Sequence, residues 1–109
     1  MQRDLIDVRD VAAAYLLALE RGERGAVYNV CGGRAWLLRD VLDRLIALTG
    51  LRVEVSVRRE RLRRQDLPVL VGDPAAFEAR TGWRPSIPLE RTLRDLLDYW
   101  EAQVPQERR

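Results

Sequence analysis

Apolar residues at helical spacing predict four helices in this chain, and residues typical of helix starts and ends indicate their bounds. The first is predicted over residues 10–20, with Asp10 as its N-cap, because an aspartate oxygen can accept a hydrogen bond from the first turn. The second is predicted over residues 38–48 and ends at Gly50. Its start lacks a capping side chain, because Leu37 stands where serine or threonine is expected.

The third and fourth helices lie in the second half of the chain. Asp73, which precedes a proline, is typical of a helix start, and Gly82 ends this short helix. The last helix is predicted over residues 89–103. Its buried face is predicted to comprise Leu93, Leu96, Leu97 and Trp100. Residues 104–109 are mostly polar and are predicted to form a frayed tail.

Four short segments have the composition of strands. Residues 3–8 form the first and residues 26–30 the second. Residues 53–57 alternate apolar and polar side chains with period two, which predicts a half-buried strand. Residues 67–71 contain a proline and are therefore predicted to form an edge strand. Short strands among about four helices predict one small α/β domain over residues 1–109.

The composition fits a soluble globular domain, with 47% hydrophobic and 33% charged residues. No apolar run approaches the roughly 20 residues of a transmembrane helix, and the first residues lack the layout of a signal peptide. The single cysteine cannot form an internal disulfide, which is typical of a reducing compartment. We therefore expect a cytoplasmic protein that does not bind membranes.

All nineteen basic residues are arginine, so the chain contains neither lysine nor histidine. Part of this bias is expected from the codon usage of a GC-rich genome. Whatever its origin, a guanidinium is a planar donor suited to carboxylate or phosphate, and it does not lose its proton to serve as a base. The sequence therefore offers many groups that can bind an anion.

Two places bring an arginine next to a carboxylate beside a short apolar strand. The first is Arg3 with Asp4, and the second is Arg63 with Asp66. Arg63 belongs to a tract of five arginines in residues 58–64, for which a solvated surface loop and an anion-binding loop are the alternatives. We do not expect nucleic-acid binding, because the net charge is only +2 and no aromatic residue interrupts the tract.

The other candidate motifs favour structural roles. The Gly32-Gly33 pair lacks the three spaced glycines of a dinucleotide loop, so a plain turn is predicted. Tyr15 and Tyr28 are predicted to pack in the core, because the chain has no lysine to activate them. Cys31 has no histidine partner and is predicted to be an inert thiol. No catalytic, cofactor-binding or metal-binding residue is predicted in this chain.

Four motifs in register resemble the C-terminal portion of an extended short-chain dehydrogenase/reductase of the NAD-dependent epimerase/dehydratase family. They are RDLIDVRDVA at residues 3–12, VYNV at 27–30, RRQDLPVLVGD at 63–73 and GWRP at 82–85. The segment LPVLVGD and the ending over residues 87–100 resemble most closely the GDP-mannose branch. That branch contains GDP-mannose 4,6-dehydratases and the reductases that act on GDP-4-keto-6-deoxymannose.

In that family the N-terminal half is a Rossmann domain with the NAD(P) glycine loop and a catalytic tyrosine–lysine pair, and the C-terminal part binds the nucleotide sugar. The resemblance implies that Arg3 and Arg63 contact the diphosphate and that Asp66 contacts the ribose. The resemblance also implies structural roles for three residues. Asp10 and Asp73 would cap helices around the site, and Trp83 would pack beneath it.

The catalytic half of the family is absent from this sequence. We therefore expect a fragment of a larger enzyme that uses NAD or NADP, arising by design, by proteolysis or from a truncated gene. Alone it should bind no dinucleotide and turn over no substrate. The sequence departs from the family pattern at Arg64, which replaces a proline, and at Leu37, which replaces the capping serine.

The leading hypothesis is the GDP-sugar-binding domain of a 4,6-dehydratase or 4-keto reductase. The substrate domain of a UDP-sugar epimerase or dehydratase is an alternative, because it shares the arginine pattern. A non-catalytic oligomeric module is a third possibility. The strand at residues 27–30 would lack its partner in the Rossmann sheet, and unpaired edges tend to pair with another chain. We therefore expect a homo-oligomer.

Overall fold

The computed structural model describes residues 1–58 and 67–104. These residues form a three-stranded sheet and four helices, which confirms the predicted α/β class. The elements in chain order are β1 (Gln2–Asp4), α1 (Val8–Arg21), β2 (Ala35–Leu37), α2 (Leu38–Thr49), β3 (Val69–Leu70), α3 (Ala75–Thr81) and α4 (Leu89–Gln103). Most of the predicted tail, residues 105–109, lies outside the described residues.

β1 is the central strand of the sheet, with β2 antiparallel on one side and β3 parallel on the other. Arg3 on β1 is paired with Trp36 on β2 and with Leu70 on β3. Because directly opposed residues of neighbouring strands project from the same face, these three side chains form one row across the sheet. β3 lies at the edge of the sheet, as predicted for the segment that contains Pro68, although the strand begins after this proline and is only two residues long.

Two of the predicted strands are wrong. Neither residues 26–30 nor residues 53–57 form a strand, because neither segment is paired with a strand among the described residues. Residues 26–30 instead place Tyr28 and Val30 against the hydrophobic core. β2 at Ala35–Leu37 was not predicted, since three residues carry too little periodic pattern to indicate a strand.

The start of α1 also corrects a prediction. The helix begins at Val8, and its N-cap is Asp7, whose carboxylate accepts a hydrogen bond from the backbone N–H of Arg9 at 2.8 Å. The predicted cap, Asp10, lies inside the first turn and is buried. Both positions hold aspartate, and the local sequence alone does not decide which of them precedes the first turn.

Residues next to the helix ends determine where α2 begins and ends and where α3 begins. α2 begins without a side-chain cap at Leu37 and ends at Gly50, whose φ of 68° lies in the left-handed region that favours glycine. At α3, Asp73 Oδ1 accepts a hydrogen bond from the N–H of Ala75 at 3.0 Å. The N-cap position itself is occupied by Pro74, one residue later than the predicted Asp73.

The hydrophobic core lies between α1 and α3 and includes the segment after each of them. Ala14, Phe77 and Trp83 are buried at its centre. The Phe77 ring lies between the rings of Tyr28 and Trp83, at centroid distances of 5.4 and 5.7 Å. Such tilted aromatic pairs add about 0.5–1.5 kcal/mol each beyond the burial of their area. The predicted packing role of Tyr28 is confirmed.

Other apolar side chains were predicted to be buried and are not. Tyr15 is 65% exposed, so its predicted place in the core is wrong. On α4, Leu93 is buried, whereas Leu96 and Trp100 are exposed. The α1 residues Val8, Tyr15, Leu16 and Leu19 are all exposed on the face opposite the core, and we call this set the outer stripe. Among the described helices, none is long and apolar enough to cross a membrane.

Candidate functional site

Arg3 places a guanidinium beside the segment that leads into β3. Its Nη1 donates hydrogen bonds to the backbone carbonyl oxygens of Gln2 at 2.7 Å and Leu67 at 2.9 Å. Gln2 belongs to β1, and Leu67 lies two residues before β3. The sheet and the segment that leads into it therefore position the cation. Arg63 and Asp66, the other predicted substrate-binding residues, lie outside the described residues. Their convergence with Arg3 stays a prediction.

The Asp4 carboxylate ties β1 to two neighbouring loops. It accepts hydrogen bonds from the backbone N–H groups of Gly32 at 2.9 Å, Gly33 at 2.8 Å and Gly72 at 3.3 Å. A Cβ on Gly32 would lie 2.9 Å from Asp4 Oδ1, and Gly33 has a φ of 77°, so both positions favour glycine. The glycine pair therefore forms a turn that holds a carboxylate of the chain itself.

Asp10 fixes the loop before α4. Its carboxylate accepts hydrogen bonds from the backbone N–H of Ser86 at 3.1 Å, from Ser86 Oγ at 3.1 Å and from the N–H of Ile87 at 3.0 Å. Its backbone carbonyl accepts a fourth, from Nε1 of the buried Trp83 at 3.0 Å. The predicted capping residue therefore joins the first turn of α1 to a loop that is distant in the sequence.

Asp7 joins α1 to α4. Arg9 donates to both oxygens of this buried carboxylate, from Nε at 2.9 Å and from Nη2 at 2.8 Å, and Thr92 Oγ1 donates at 2.7 Å. Chiefly because of the Arg9 hydrogen bonds, and against the opposing effect of burial, the pKa of Asp7 lies well below its usual range. Arg9 also bonds Asp95, and this hydrogen bond lowers the pKa of that carboxyl.

The Asp7 network is expected to make the protein sensitive to acid. Because the folded pKa lies below the unfolded one, the stabilisation is complete above about pH 4–5 and is lost as pH falls further. Asp7→Asn should remove this part of the pH dependence. Urea unfolding midpoints between about pH 7 and pH 2.5 measure it, with the exposed Asp98→Asn as control. Equal acid slopes in the wild type and Asp7→Asn would contradict the assignment.

A pocket of about 500 Å³ opens where these networks meet. Its apolar lining comprises Leu5, Ile6, Val41, Ile87, Leu89 and Leu93. Arg34, Ser86 and Thr92 add polar groups to its wall. Asp10 holds Ser86, and Asp7 holds Thr92, so two buried carboxylates fix the shape of this wall. The lining residues come from both ends of the chain, and local sequence patterns gave no signal of the pocket.

Trp36 forms part of the same wall and contacts two guanidinium groups. The Cζ atom of Arg34 lies 3.8 Å from the centroid of the indole, and that of Arg44 lies at 5.1 Å. Arg44 is also ion-paired with Glu90 of α4. Sequence reasoning missed Arg34 and Trp36. The available signal was their spacing of two residues after a glycine turn, which places both on one face of an extended segment.

Cys31 lies next to this framework as a half-buried free thiol. Burial, followed by the nearby charge of Asp4, raises the pKa of its thiol. A raised pKa leaves little thiolate at neutral pH, which agrees with the predicted inert thiol. The described residues contain no group of three or more cysteine, aspartate or glutamate side chains placed to hold a metal ion.

The sequence of this chain is similar to that of known enzymes. The model of the NAD dependent epimerase/dehydratase family matches residues 1–31. The GDP-6-deoxy-D-mannose reductase of Pseudomonas aeruginosa is 37% identical over 107 residues, which are 98% of this chain and 35% of that protein.

Solved structures agree with the sequence match. The structure of RMD from Pseudomonas aeruginosa complexed with NADPH is 36% identical with a TM-score of 0.88, over 95% of this chain and 34% of that one. The UDP-glucose 4-epimerase of Thermotoga maritima with UDP-glucose is 28% identical with a TM-score of 0.86, over 95% of this chain and 33% of that one. The chain thus spans about a third of the length of these relatives.

Proposed function

Because the chain belongs to the NAD-dependent epimerase/dehydratase family, we propose that it is the nucleotide-sugar-binding part of an enzyme of that family, with a GDP-sugar as its ligand. Its 37% identity to a GDP-6-deoxy-D-mannose reductase favours the GDP-mannose branch. The parent enzyme would be a cytoplasmic 4,6-dehydratase or 4-keto reductase that uses NAD or NADP. Its cofactor loop and catalytic pair belong to a Rossmann domain, the partner of this chain, and residues 1–109 alone are not catalytic.

The placement of Arg3 carries this proposal. The sheet holds its guanidinium through two backbone carbonyl oxygens, and its neighbour in the row across the sheet is Trp36, on the wall of the pocket. Guanidinium and phosphate form strong charge-assisted hydrogen bonds, and a pocket of about 500 Å³ is of the size that accommodates small ligands. A cation for the diphosphate and a pocket for the nucleoside therefore lie on one face. Arg63 and Asp66 are proposed to complete the site.

Arg3→Gln is expected to raise the Kd for GDP about 10- to 100-fold, because a hydrogen bond to a charged group contributes roughly 1.5–3 kcal/mol. Calorimetric titration at low salt with GDP and GDP-mannose measures the change. Arg94→Gln is the matched control, since Arg94 lies on the exposed face of α4 and pairs only loosely with Asp98 at 3.8 Å. Unchanged binding by Arg3→Gln, or an equal loss in the control, would contradict the site.

A UDP-sugar enzyme is the alternative within the family, and the likeness to a UDP-glucose 4-epimerase supports it. The same titration with UDP separates the two, because tighter binding of UDP than of GDP would favour the epimerase branch.

The outer stripe supports a second proposal, that the chain forms a homodimer. Its apolar side chains face away from the core, and Val27, in the loop after α1, is 92% exposed. An apolar surface of this kind marks an interaction site. The dimer is compatible with nucleotide binding, because the outer stripe and the pocket share none of their residues.

A further inference from the structure

We propose that Arg34, stacked on Trp36 at the wall of the pocket, binds the guanine base of the ligand and so sets a preference for GDP over UDP. This inference rests on the nucleotide-binding function proposed above. It adds a specificity-determining residue to a site in which the sequence indicated only diphosphate and ribose contacts.

The position of Arg34 is fixed by the indole beneath it. Its Cζ lies 3.8 Å from the centroid of the Trp36 ring, which is the distance of a stacked cation–π contact. A stacked guanidinium keeps its N–H donors in its own plane, where they can bind a further group. Among the described residues Arg34 has no ion-pair partner, and its contact is the aromatic ring.

The other guanidinium groups near the pocket already bind carboxylates. Arg44, which lies on α2 and also contacts the Trp36 ring, is ion-paired with Glu90. Arg9 donates to Asp7 and to Asp95. Neither of them lines the pocket, whereas Arg34 does. Of the cations around the described pocket, Arg34 is therefore the one placed to bind a ligand inside it.

Guanine fits this arrangement better than uracil. Its O6 and N7 atoms are adjacent acceptors on one edge of the ring, and an arginine donates to both in a bidentate pair. Uracil has no such pair of acceptors. A base bound in this way would lie in the plane of the guanidinium, in a pocket that Leu5 and Ile87 also line. Because Trp36 is paired with Arg3, base and diphosphate lie on the same face of the sheet.

The test compares the Kd for GDP and for UDP in the wild type and three variants. The wild type is expected to bind GDP more tightly. Arg34→Gln should raise the Kd for GDP roughly 5- to 100-fold, the discrimination of one bidentate contact, and leave that for UDP within about two-fold. Trp36→Leu removes the surface that orients the guanidinium and should act in the same direction. Arg34→Lys keeps the charge but not the planar fork, so it should also lose the preference.

The outcomes separate this inference from the proposed function. An equal loss of GDP and UDP binding in Arg34→Gln, or full recovery of the preference by lysine, would overturn it, because either would indicate a contact to phosphate. Equal affinities for both nucleotides in the wild type, with both weakened by Arg3→Gln, would overturn the inference and leave the proposed function in place. Binding of neither nucleotide would overturn both. Arg34 is exposed, so its variants should unfold at the wild-type urea midpoint.

Discussion

Replacing Asp10 by alanine is expected to lower the free energy of unfolding by about 3 kcal/mol. The side chain is 5% exposed and accepts three hydrogen bonds from Ser86 and Ile87. Alanine would leave two backbone N–H groups and a hydroxyl without this acceptor, and each unsatisfied group that stays buried costs about 1–3 kcal/mol. Urea unfolding at neutral pH measures the loss.

Two further variants show whether the loss comes from these hydrogen bonds. Asp10→Asn keeps the shape and one acceptor oxygen, so it should cost about half as much as alanine. Asp98→Ala removes a carboxylate from an exposed pair and should change stability by less than about 0.5 kcal/mol. A loss in Asp10→Ala no larger than that of Asp98→Ala would contradict the role assigned to Asp10. Ser86 and Ile87 line the pocket, so the alanine variant should also bind GDP more weakly.

The helices could be predicted from the sequence because their signals are local. α4 was predicted over residues 89–103 and has those bounds, and α2 ends at the predicted Gly50. Apolar spacing and a glycine in the left-handed region act within a few residues of each other. Local signals were insufficient for burial, however, because Leu96 and Trp100 share the apolar face of α4 and yet remain exposed.

The strands and the pocket could not be predicted in the same way, because each depends on distant residues. Residues 26–30 have the composition of a strand, but a strand needs a partner to accept its backbone hydrogen bonds. Asp7 and Asp10 look alike in the sequence. Their different roles come from Thr92 and Ser86, which lie 85 and 76 positions away. The family resemblance implied a diphosphate contact for Arg3, which stays a prediction, and it gave no indication of Arg34 or Trp36.

The outer stripe is expected to pair two copies of the chain, and Leu19→Glu is expected to separate them. The four side chains are between 64% and 85% exposed, while Ala14 on the opposite face of α1 is fully buried. A helix that is apolar all round is typically covered on both sides. In a two-fold pair each stripe would cover the other, so Val8 of one copy would lie near the Leu19 end of its partner. A glutamate there would place an unpaired charge inside the contact, at a cost of roughly 3–5 kcal/mol.

Light scattering at tens of micromolar protein measures the mass of the particle in solution and so tests this prediction. The wild type should have twice the 12.6 kDa mass of the chain, and Leu19→Glu should have the mass of the monomer. Leu51→Glu is the matched control, because Leu51 is 70% exposed but lies outside the stripe, so this variant should remain a dimer. A dimer that persists in Leu19→Glu would place the contact elsewhere, for example at residues 26–30. A wild-type monomer would mean that another polypeptide must cover the stripe, such as the part of the family fold that this chain does not span.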